Sequence, residues 1–162
     1  MVNIAIRPAE ESECDVLTKI SFAAKRYWNY PEAYFDIWKT ELTITADYIK
    51  DNYVYVAEEN GQIIGYFSVL EVQEDFMVGN VLLKKGFWLE HIFISPEFIG
   101  WGIGTQLISA AKSICIKGNI DGLFVLSDPY AKGFYEKMGA KYKGEVPSSI
   151  KGRTVALFEL KI

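Results

Sequence analysis

The chain has 162 residues, of which 50% are hydrophobic, 15% aromatic and 23% charged, a composition typical of a globular domain and not of a disordered segment. Its formal net charge of −4 disfavours a general nucleic-acid binder, which is normally basic. The two cysteines lack the spacing of a zinc site, no apolar run is long enough to span a membrane, and the first residues do not resemble a secretory signal. We therefore expect one domain over residues 1–162, in the cytoplasm, with no metal and no membrane partner.

The first fifty residues are dominated by helical periodicity. Residues 3–7 alternate polar and apolar side chains, which predicts a short first strand. Apolar residues then recur every three to four positions. This spacing predicts three helices, over about residues 10–27, 31–41 and 46–50.

Strand-like patterns follow from residue 53. Two runs rich in β-branched and aromatic residues predict strands over 53–57 and 62–72. Asn60-Gly61 lies between them, and this dipeptide favours a tight hairpin turn. Residues 74–86 are expected to form an irregular connection.

The second half of the sequence alternates strands and helices. We predict, in chain order, a strand over 87–94, a helix over 102–117, a strand over 123–126, a helix that begins at Asp128-Pro129 and ends at Gly139, and strands over 140–146 and 154–161. Without the short third helix, the order of elements is β-α-α-β-β-β-α-β-α-β-β. This order is typical of an α+β or mixed α/β domain.

A glycine-rich turn lies between the strand over 87–94 and the helix that follows it. Gly100, Gly102 and Gly104 alternate at the start of this helix, where unpaired main-chain N–H groups and the positive end of the helix dipole favour a pyrophosphate. Taken alone, such glycines are equally compatible with a turn that binds nothing. Leu107 stands where a Rossmann fingerprint needs its third glycine, and the tripeptide of a Walker loop does not occur.

Two stretches of the sequence together resemble the GNAT-type N-acetyltransferases. LEHIFISPEFIGWGIGTQLI resembles the acetyl-CoA loop of that family, Gln/Arg-x-x-Gly-x-Gly/Ala, with Gly102 and Gly104 as its glycines. DPYAKGFYEKMGAKYKG resembles the segment that follows, in which an Asn precedes a Tyr by seven residues. The two motifs cover about residues 87–143. The resemblance implies a GNAT-like central, mostly antiparallel mixed sheet of about 6–7 strands flanked by about four helices.

The resemblance also implies which residues contact acetyl-CoA, the expected cosubstrate. Main-chain N–H groups of the glycine turn hold its pyrophosphate, and an N–H near the end of the preceding strand binds the thioester carbonyl. Two positions depart from the family pattern: Ile99 replaces Gln or Arg, and Asp128 replaces Asn with a group that only accepts hydrogen bonds. The expected cofactor-binding residues are Ile92, Phe93, Ile94, Ile99, Gly100, Trp101, Gly102, Ile103, Gly104, Thr105, Asp128, Phe134 and Tyr135.

The implied reaction is direct transfer of the acetyl group from acetyl-CoA to a primary amine. Tyr135 matches the tyrosine that protonates the departing thiolate in the family, and it is the expected catalytic acid. Glu90 is the expected catalytic base, acting directly or through a water, and His91 or a water alone stay open as alternatives. Strand alternation places Glu90 with Trp88 on one face and His91 on the other. Without the motif, Tyr135 is simply a half-buried helix aromatic, and Glu90 is a solvent-facing or salt-bridged strand residue.

The sequence does not specify the acceptor, beyond a small-molecule or peptide amine and no nucleic acid. Six aromatic residues of the first two helices form either a wall for the amine or ordinary core, and core packing is expected to account for most of them: Tyr27, Trp28, Tyr30, Tyr34, Phe35 and Trp38. Family members often pair, so a homodimer is compatible with the resemblance. Two other functions stay open, a non-catalytic acyl-CoA-binding module of the same fold and, disfavoured by Leu107, a dinucleotide-dependent oxidoreductase.

Overall fold

A computed structural model of the chain describes residues 3–78 and 81–162. Five α-helices form within these residues: α1 (Cys14–Arg26), α2 (Glu32–Leu42), α3 (Ala46–Asp51), α4 (Ile103–Lys117) and α5 (Lys132–Lys137). The same residues form nine strands: β1 (Ala5–Pro8), β2 (Tyr53–Glu59), β3 (Gln62–Val72), β4 (Phe76–Val78), β5 (Val81–Leu83), β6 (Gly86–Ile94), β7 (Gly122–Ser127), β8 (Lys141–Pro147) and β9 (Thr154–Lys161). Every predicted helix and strand is present, with its ends shifted by a few residues.

Seven of the described strands form one sheet in the order β1-β2-β3-β6-β7-β9-β8. The pairs β1–β2, β2–β3, β7–β9 and β8–β9 are antiparallel. β6 and β7 are parallel, and within the described residues their register consists of one pair, Trp88 and Phe124. A parallel pair needs a crossover connection, which here contains α4. The predicted mixed α/β class, with a mostly antiparallel mixed sheet, is confirmed.

The β2–β3 hairpin has the turn that its sequence predicts. Asn60 and Gly61 have φ angles of 49° and 78°. A two-residue turn with both φ angles positive matches the right-handed twist of the strands that it joins. Glu59 and Gln62 are paired on either side of the turn, so the turn sets the register at this end of the hairpin; the register shifts between Ala57 and Glu58.

The expectation of an irregular connection over residues 74–86 is wrong. β4 and β5 form an antiparallel hairpin there, with Val78 opposite Val81; residues 79 and 80 lie outside the described residues. Three consecutive apolar residues on each side favour strand pairing, and the Lys85 N–H donates to Asp75 Oδ1 at 2.6 Å across the open end. Strands of three residues are too short for an alternation pattern to be visible in the sequence.

The helix expected from Asp128-Pro129 to Gly139 is shorter than predicted. A 3₁₀ turn over Pro129–Ala131 comes first, and α5 follows with six residues. The Ala131 N–H donates to the Asp128 carbonyl at 2.9 Å, the i→i+3 bond that tightens a helix start. Gly139, with a φ of 89°, follows the helix end as predicted.

The chain divides into two compact units, Met1–Val69 with His91–Ala110 and Leu70–Glu90 with Ala111–Ile162. One core cluster of the first unit consists of Leu17, Ile20, Ile44, Ile49, Val54, Val56 and Tyr66. A cluster of the second unit has Val72, Trp88 and Leu157 at its centre. Full burial of one such side chain stabilises a fold by about 1.5–3 kcal/mol. The expectation of a single domain stays a prediction.

None of the described helices is long and apolar enough to cross a membrane. No group of three or more His, Cys, Asp or Glu side chains in the described part of the chain is arranged to hold a metal ion.

Candidate active site

The turn between β6 and α4 begins with hydrogen bonds of its own. A 3₁₀ turn covers Pro96–Phe98. The Ile99 N–H donates to the Pro96 carbonyl at 3.2 Å, and the Trp101 N–H donates to the Phe98 carbonyl at 3.3 Å. Trp101 is one of the predicted acetyl-CoA contacts, but its N–H is occupied within the turn and is not a free donor for a ligand.

The next residues leave a row of main-chain donors open. Gly100 and Gly102 have φ angles of 86° and 76°, which L side chains rarely adopt. The Gln106 N–H donates to the Gly102 carbonyl at 3.3 Å, so the N–H groups of residues 102–105 precede this bond and have no partner within the helix. Among the described residues of the first turn of α4, none is acidic. The start of α4 therefore offers N–H donors and a positive dipole end to a phosphate.

Side chains of the same turn either anchor it or face solvent. Ile103 is 1% exposed and fixes the start of α4 in the core, whereas Ile99 and Trp101 are 43% and 47% exposed. The Trp101 ring packs edge-on against Phe98, with ring centroids 5.0 Å apart. Because Ile99 carries no charge, this turn offers main-chain N–H groups, and not the side chain at position 99, to an anion.

The end of β6 lies close to β3. A Cβ atom on Gly65 would come within 2.9 Å of the Phe93 carbonyl oxygen, and the Ser95 N–H donates to the Ile64 carbonyl at 2.8 Å. These contacts hold the backbone of Ile92–Ile94, the predicted donors to the thioester carbonyl. Gly65 is a residue that sequence reasoning missed, although a glycine inside a strand pattern indicates close approach of another backbone.

His91 is buried in an aromatic layer of the first unit. Its ring stacks on Phe93 with centroids 5.6 Å apart, and the rings of Tyr48 and Tyr66 lie 6.1 and 6.2 Å away. Burial, with a smaller contribution from the positive charge of Lys25, lowers the pKa of His91 to about 4. The imidazole is therefore neutral at pH 7, and a ring this buried is poorly placed to pass a proton to water.

Glu90 is exposed between two buried neighbours on β6, Leu89 and His91. Trp88, which alternation places on the same face as Glu90, is 4% exposed and packs against the Phe124 ring at 5.1 Å. The Glu90 carboxylate is thus the surface group in this part of the strand. That position allows it to exchange protons with water, as a general base must.

Tyr135 is a buried residue that packs among other aromatic rings. The residue is 5% exposed and packs against the rings of Phe134 and Phe158 at 5.3 and 5.8 Å. Burial and, to a smaller extent, the negative charge of Asp128 raise the pKa of Tyr135 well above its ordinary value. The phenol is a neutral hydrogen-bond donor at physiological pH.

Asp128 has partners within the second unit. Its Oδ1 accepts a hydrogen bond from the Tyr130 N–H at 3.0 Å and caps the turn, while its Oδ2 lies 3.7 Å from Arg153 Nη2. The side chains of Asp128 and Arg153 are 14% and 17% exposed, so the ion pair is largely shielded from water. The carboxylate at the family's Asn position is therefore engaged by the chain itself.

The aromatic residues of the α1–α2 region divide between core and surface: Phe35 and Trp38 are buried, Tyr30 and Tyr34 half-buried, and Tyr27 and Trp28 exposed. Lys25 Nζ lies 4.5 Å from the centroid of the Trp38 ring. An alkylammonium group of the chain itself therefore rests on this cluster, as cation–π attraction favours.

Known proteins similar to this chain are acetyltransferases. The model of the acetyltransferase (GNAT) domain family matches residues 50–139. Peptidyl-lysine N-acetyltransferase YjaB of Salmonella typhimurium is 28% identical over 132 residues, which cover 76% of this chain and 86% of that protein.

Solved structures with the same fold include two that match nearly the whole chain. A GCN5-related N-acetyltransferase of Rhodopseudomonas palustris has a TM-score of 0.75 at 20% identity, covering 99% of this chain and 95% of that one. The PaiA N-acetyltransferase of Thermoplasma acidophilum, in complex with coenzyme A, has a TM-score of 0.73 at 18% identity, covering 99% and 100%. At these identities the structural matches establish the fold alone.

Because the family model spans more than half of the chain, the protein belongs to the GNAT acetyltransferase family. It is an N-acetyltransferase that uses acetyl-CoA as its acetyl donor. The predicted family, enzyme class and cosubstrate are confirmed, and nothing in the comparisons favours the non-catalytic alternative. The roles of the individual site residues stay predictions.

Proposed function

We propose that the protein acetylates the primary amine of a lysine-like side chain by direct attack, with Glu90 accepting the amine proton and Tyr135 donating a proton to the departing thiolate. The amine nitrogen attacks the carbonyl carbon of the thioester, a C–N bond forms and the C–S bond breaks. The products are an N-acetyl amine and the thiol of coenzyme A. The observation that carries this proposal is Tyr135 itself, held between the rings of Phe134 and Phe158 at the motif position of the family's acid.

The start of α4 is proposed to hold the cosubstrate. The N–H groups of residues 102–105 are available to a pyrophosphate, and the two positive φ angles at Gly100 and Gly102 let the backbone form this cradle. Main-chain N–H groups of Ile92–Ile94 are proposed to stabilise the oxygen of the attacked carbonyl.

Removal of the amine proton is the step that needs Glu90. A lysine-like amine has a pKa near 10.4, so presenting it in neutral form at pH 7 costs about 4–5 kcal/mol without a base. The exposed carboxylate on β6 supports proton removal, directly or through one water. The buried, neutral His91 is less suited to this role.

Proton donation by Tyr135 is expected to be late. Its pKa is raised by burial, whereas a thiol has an ordinary pKa near 8.5, so complete proton transfer is unfavourable while the C–S bond is intact. The phenol first donates a hydrogen bond to the sulfur, which strengthens as negative charge develops there.

The acceptor class is inferred from the net charge of the chain, from two exposed aromatic side chains and from the name of a related enzyme. The net charge of −4 favours a cationic acceptor, and the exposed rings of Tyr27 and Trp28 suit an alkyl stem with an ammonium end. The relative from Salmonella typhimurium is named as an enzyme acting on peptidyl-lysine. A cytoplasmic location and a homodimer stay predictions.

Substitution of Tyr135 by Phe tests the proposed acid. We expect kcat to fall about 100-fold, because general acid catalysis contributes about 10²–10⁴-fold, while the Kd for acetyl-CoA changes less than about twofold. Release of free thiol with lysine-containing peptides measures kcat, and calorimetry measures Kd. The matched control is Tyr142→Phe, which removes an exposed hydroxyl that donates to Glu145 at 2.7 Å on β8. Full activity of Tyr135→Phe would exclude the phenol from the mechanism.

Substitution of Glu90 by Gln tests the proposed base. We expect the acidic limb of the pH dependence of kcat/KM to disappear or shift, with a loss of about 100-fold at pH 7. Glu71→Gln, which changes another exposed strand carboxylate, is the control. An unchanged pH profile would exclude Glu90 as the base and leave a water or His91 as the alternative.

Mass spectrometry of acetylated peptides and small amines in the same reactions identifies the acceptor.

A further inference from the structure

We propose that Arg153 is a positioning residue for catalysis: its ion pair with Asp128 holds the turn that leads to Tyr135 and balances the carboxylate charge there. The inference rests on the proposed role of Tyr135 and adds a residue that the family motifs do not include. It also accounts for the Asp at a position where the family pattern has a neutral Asn.

The loop that presents Arg153 is braced by its own hydrogen bonds. Arg153 lies at the end of the connection between β8 and β9. Its N–H donates to the Ile150 carbonyl at 3.0 Å, and its carbonyl accepts from the Ser148 N–H at 2.9 Å. The buried Ser148 Oγ also accepts from the Ile150 N–H at 3.0 Å. The guanidinium therefore extends from a fixed backbone, so less conformational entropy is lost when it pairs.

The other end of the pair is fixed at the start of the 3₁₀ turn before α5. The Asp128 carbonyl accepts from the Ala131 N–H at 2.9 Å and from the Ser127 hydroxyl at 2.8 Å. Its Oδ1 accepts from the Tyr130 N–H, which leaves Oδ2 facing Arg153 at 3.7 Å. α5 begins at the residue after this turn, so a displacement of Asp128 moves the base of the helix that carries Tyr135.

The charge of Asp128 acts on Tyr135, since it contributes to the raised pKa of the phenol. With both side chains of the pair less than 20% exposed, water screens this charge weakly. An uncompensated carboxylate would make the phenol a weaker hydrogen-bond donor. Arg153 supplies the opposite charge, whereas an Asn at position 128 would need none.

Charge-pair variants test this inference. R153Q is expected to lower kcat about tenfold, because residues in contact, such as the two members of this shielded ion pair, are coupled strongly enough for a change of that size. The Kd for acetyl-CoA is expected to stay within about twofold of the wild-type value. D128N/R153Q is expected to recover to within about threefold of the wild type, since the amide oxygen still caps the Tyr130 N–H. K143Q is the matched control, because Lys143 Nζ lies 3.7 Å from Glu159 in the same hairpin but is exposed.

The pattern of rates separates this inference from the proposed function. If Tyr135→Phe is slow and R153Q is as fast as the wild type, the inference about Arg153 fails, while the proposed role of Tyr135 as the acid is kept. If Tyr135→Phe is itself fast, the proposed function fails first. Adding R153Q to Tyr135→Phe is expected to cause no further loss, because the pair acts through the phenol.

Two other outcomes would also overturn the inference. One is a double variant D128N/R153Q as slow as R153Q, which would indicate a structural role alone. The other is a raised Kd for acetyl-CoA with unchanged kcat, which would make Arg153 a cofactor contact. If R153Q is unfolded at the assay temperature, D128N/R153Q is compared with D128N, and a difference of tenfold in kcat would contradict the proposal.

Discussion

The start of α4 and the start of the 3₁₀ turn before α5 use the same backbone feature in opposite ways. Each helix start has N–H groups without partners in the helix. At α4 the positive φ angles of Gly100 and Gly102 leave the donors of residues 102–105 open. At the turn before α5, the Asp128 carboxylate accepts a hydrogen bond from the Tyr130 N–H and forms an ion pair with Arg153. An open helix start thus offers donors to an external anion, whereas the capped 3₁₀ turn engages its donor within the chain.

Closing the open helix start is expected to have the largest effect. Gly102→Val places a β-branched side chain at a φ of 76°, which costs about 1–2 kcal/mol in strain and turns the N–H groups away from a phosphate. We expect the affinity for coenzyme A to fall at least about 100-fold by calorimetry, in line with the several charge-assisted hydrogen bonds lost.

Gly61→Val is the matched control for that change. Gly61 has a φ of 78°, and at both glycines an added Cβ would meet nothing within 4 Å. The two variants therefore share the backbone strain, but Gly61 lies in the β2–β3 turn. Equal losses of coenzyme A affinity in both would show that strain, and not the donor geometry, causes the effect.

The two units also differ in how they bury an ionisable group, and this predicts a pH dependence of stability. Asp128 is paired, whereas His91 is kept neutral by a pKa of about 4, below the ordinary 6.5 of an unfolded chain. Between these values the unfolded state binds more protons, so the contribution of His91 is complete above pH 6.5 and is lost as the pH falls towards 4.

Chemical denaturation at several pH values checks whether the stability contributed by His91 falls as the pH falls. From pH 7 to 4.5 we expect the unfolding free energy of the wild type to fall by about 2 kcal/mol more than that of His91→Gln, which has no imidazole to protonate. Parallel curves for the two proteins would mean that His91 is not held neutral by the fold.

The smallest expected effect is a gain in affinity for coenzyme A. Ile99 is 43% exposed beside the open helix start, where the family pattern has Gln or Arg. Ile99→Arg adds a mobile cation near the proposed pyrophosphate, and exposed ion pairs contribute about 0.2–1 kcal/mol. We expect an affinity for coenzyme A about two- to fivefold higher at low salt, fading as salt screens the pair. A gain that persists at high salt would contradict an exposed electrostatic contact.

Local patterns in the sequence predict most elements because their causes are local. Asn60-Gly61 determines its turn through backbone conformation, and the apolar periodicity of α1 and α4 determines which faces are buried. The β4–β5 hairpin was not predictable in this way, because strands of three residues show no alternation. The helix over 128–139 was predicted too long, since a 3₁₀ turn at its start is not distinguished by apolar spacing.

The sequence by itself determined the family and the position of the glycine turn, because both are encoded in consecutive residues. Only the tertiary structure decided that Gly65 approaches the Phe93 carbonyl, that His91 is buried and neutral, and that Arg153 reaches Asp128. Each of these facts joins residues more than twenty positions apart, and burial and charge pairing depend on what the folded chain brings together.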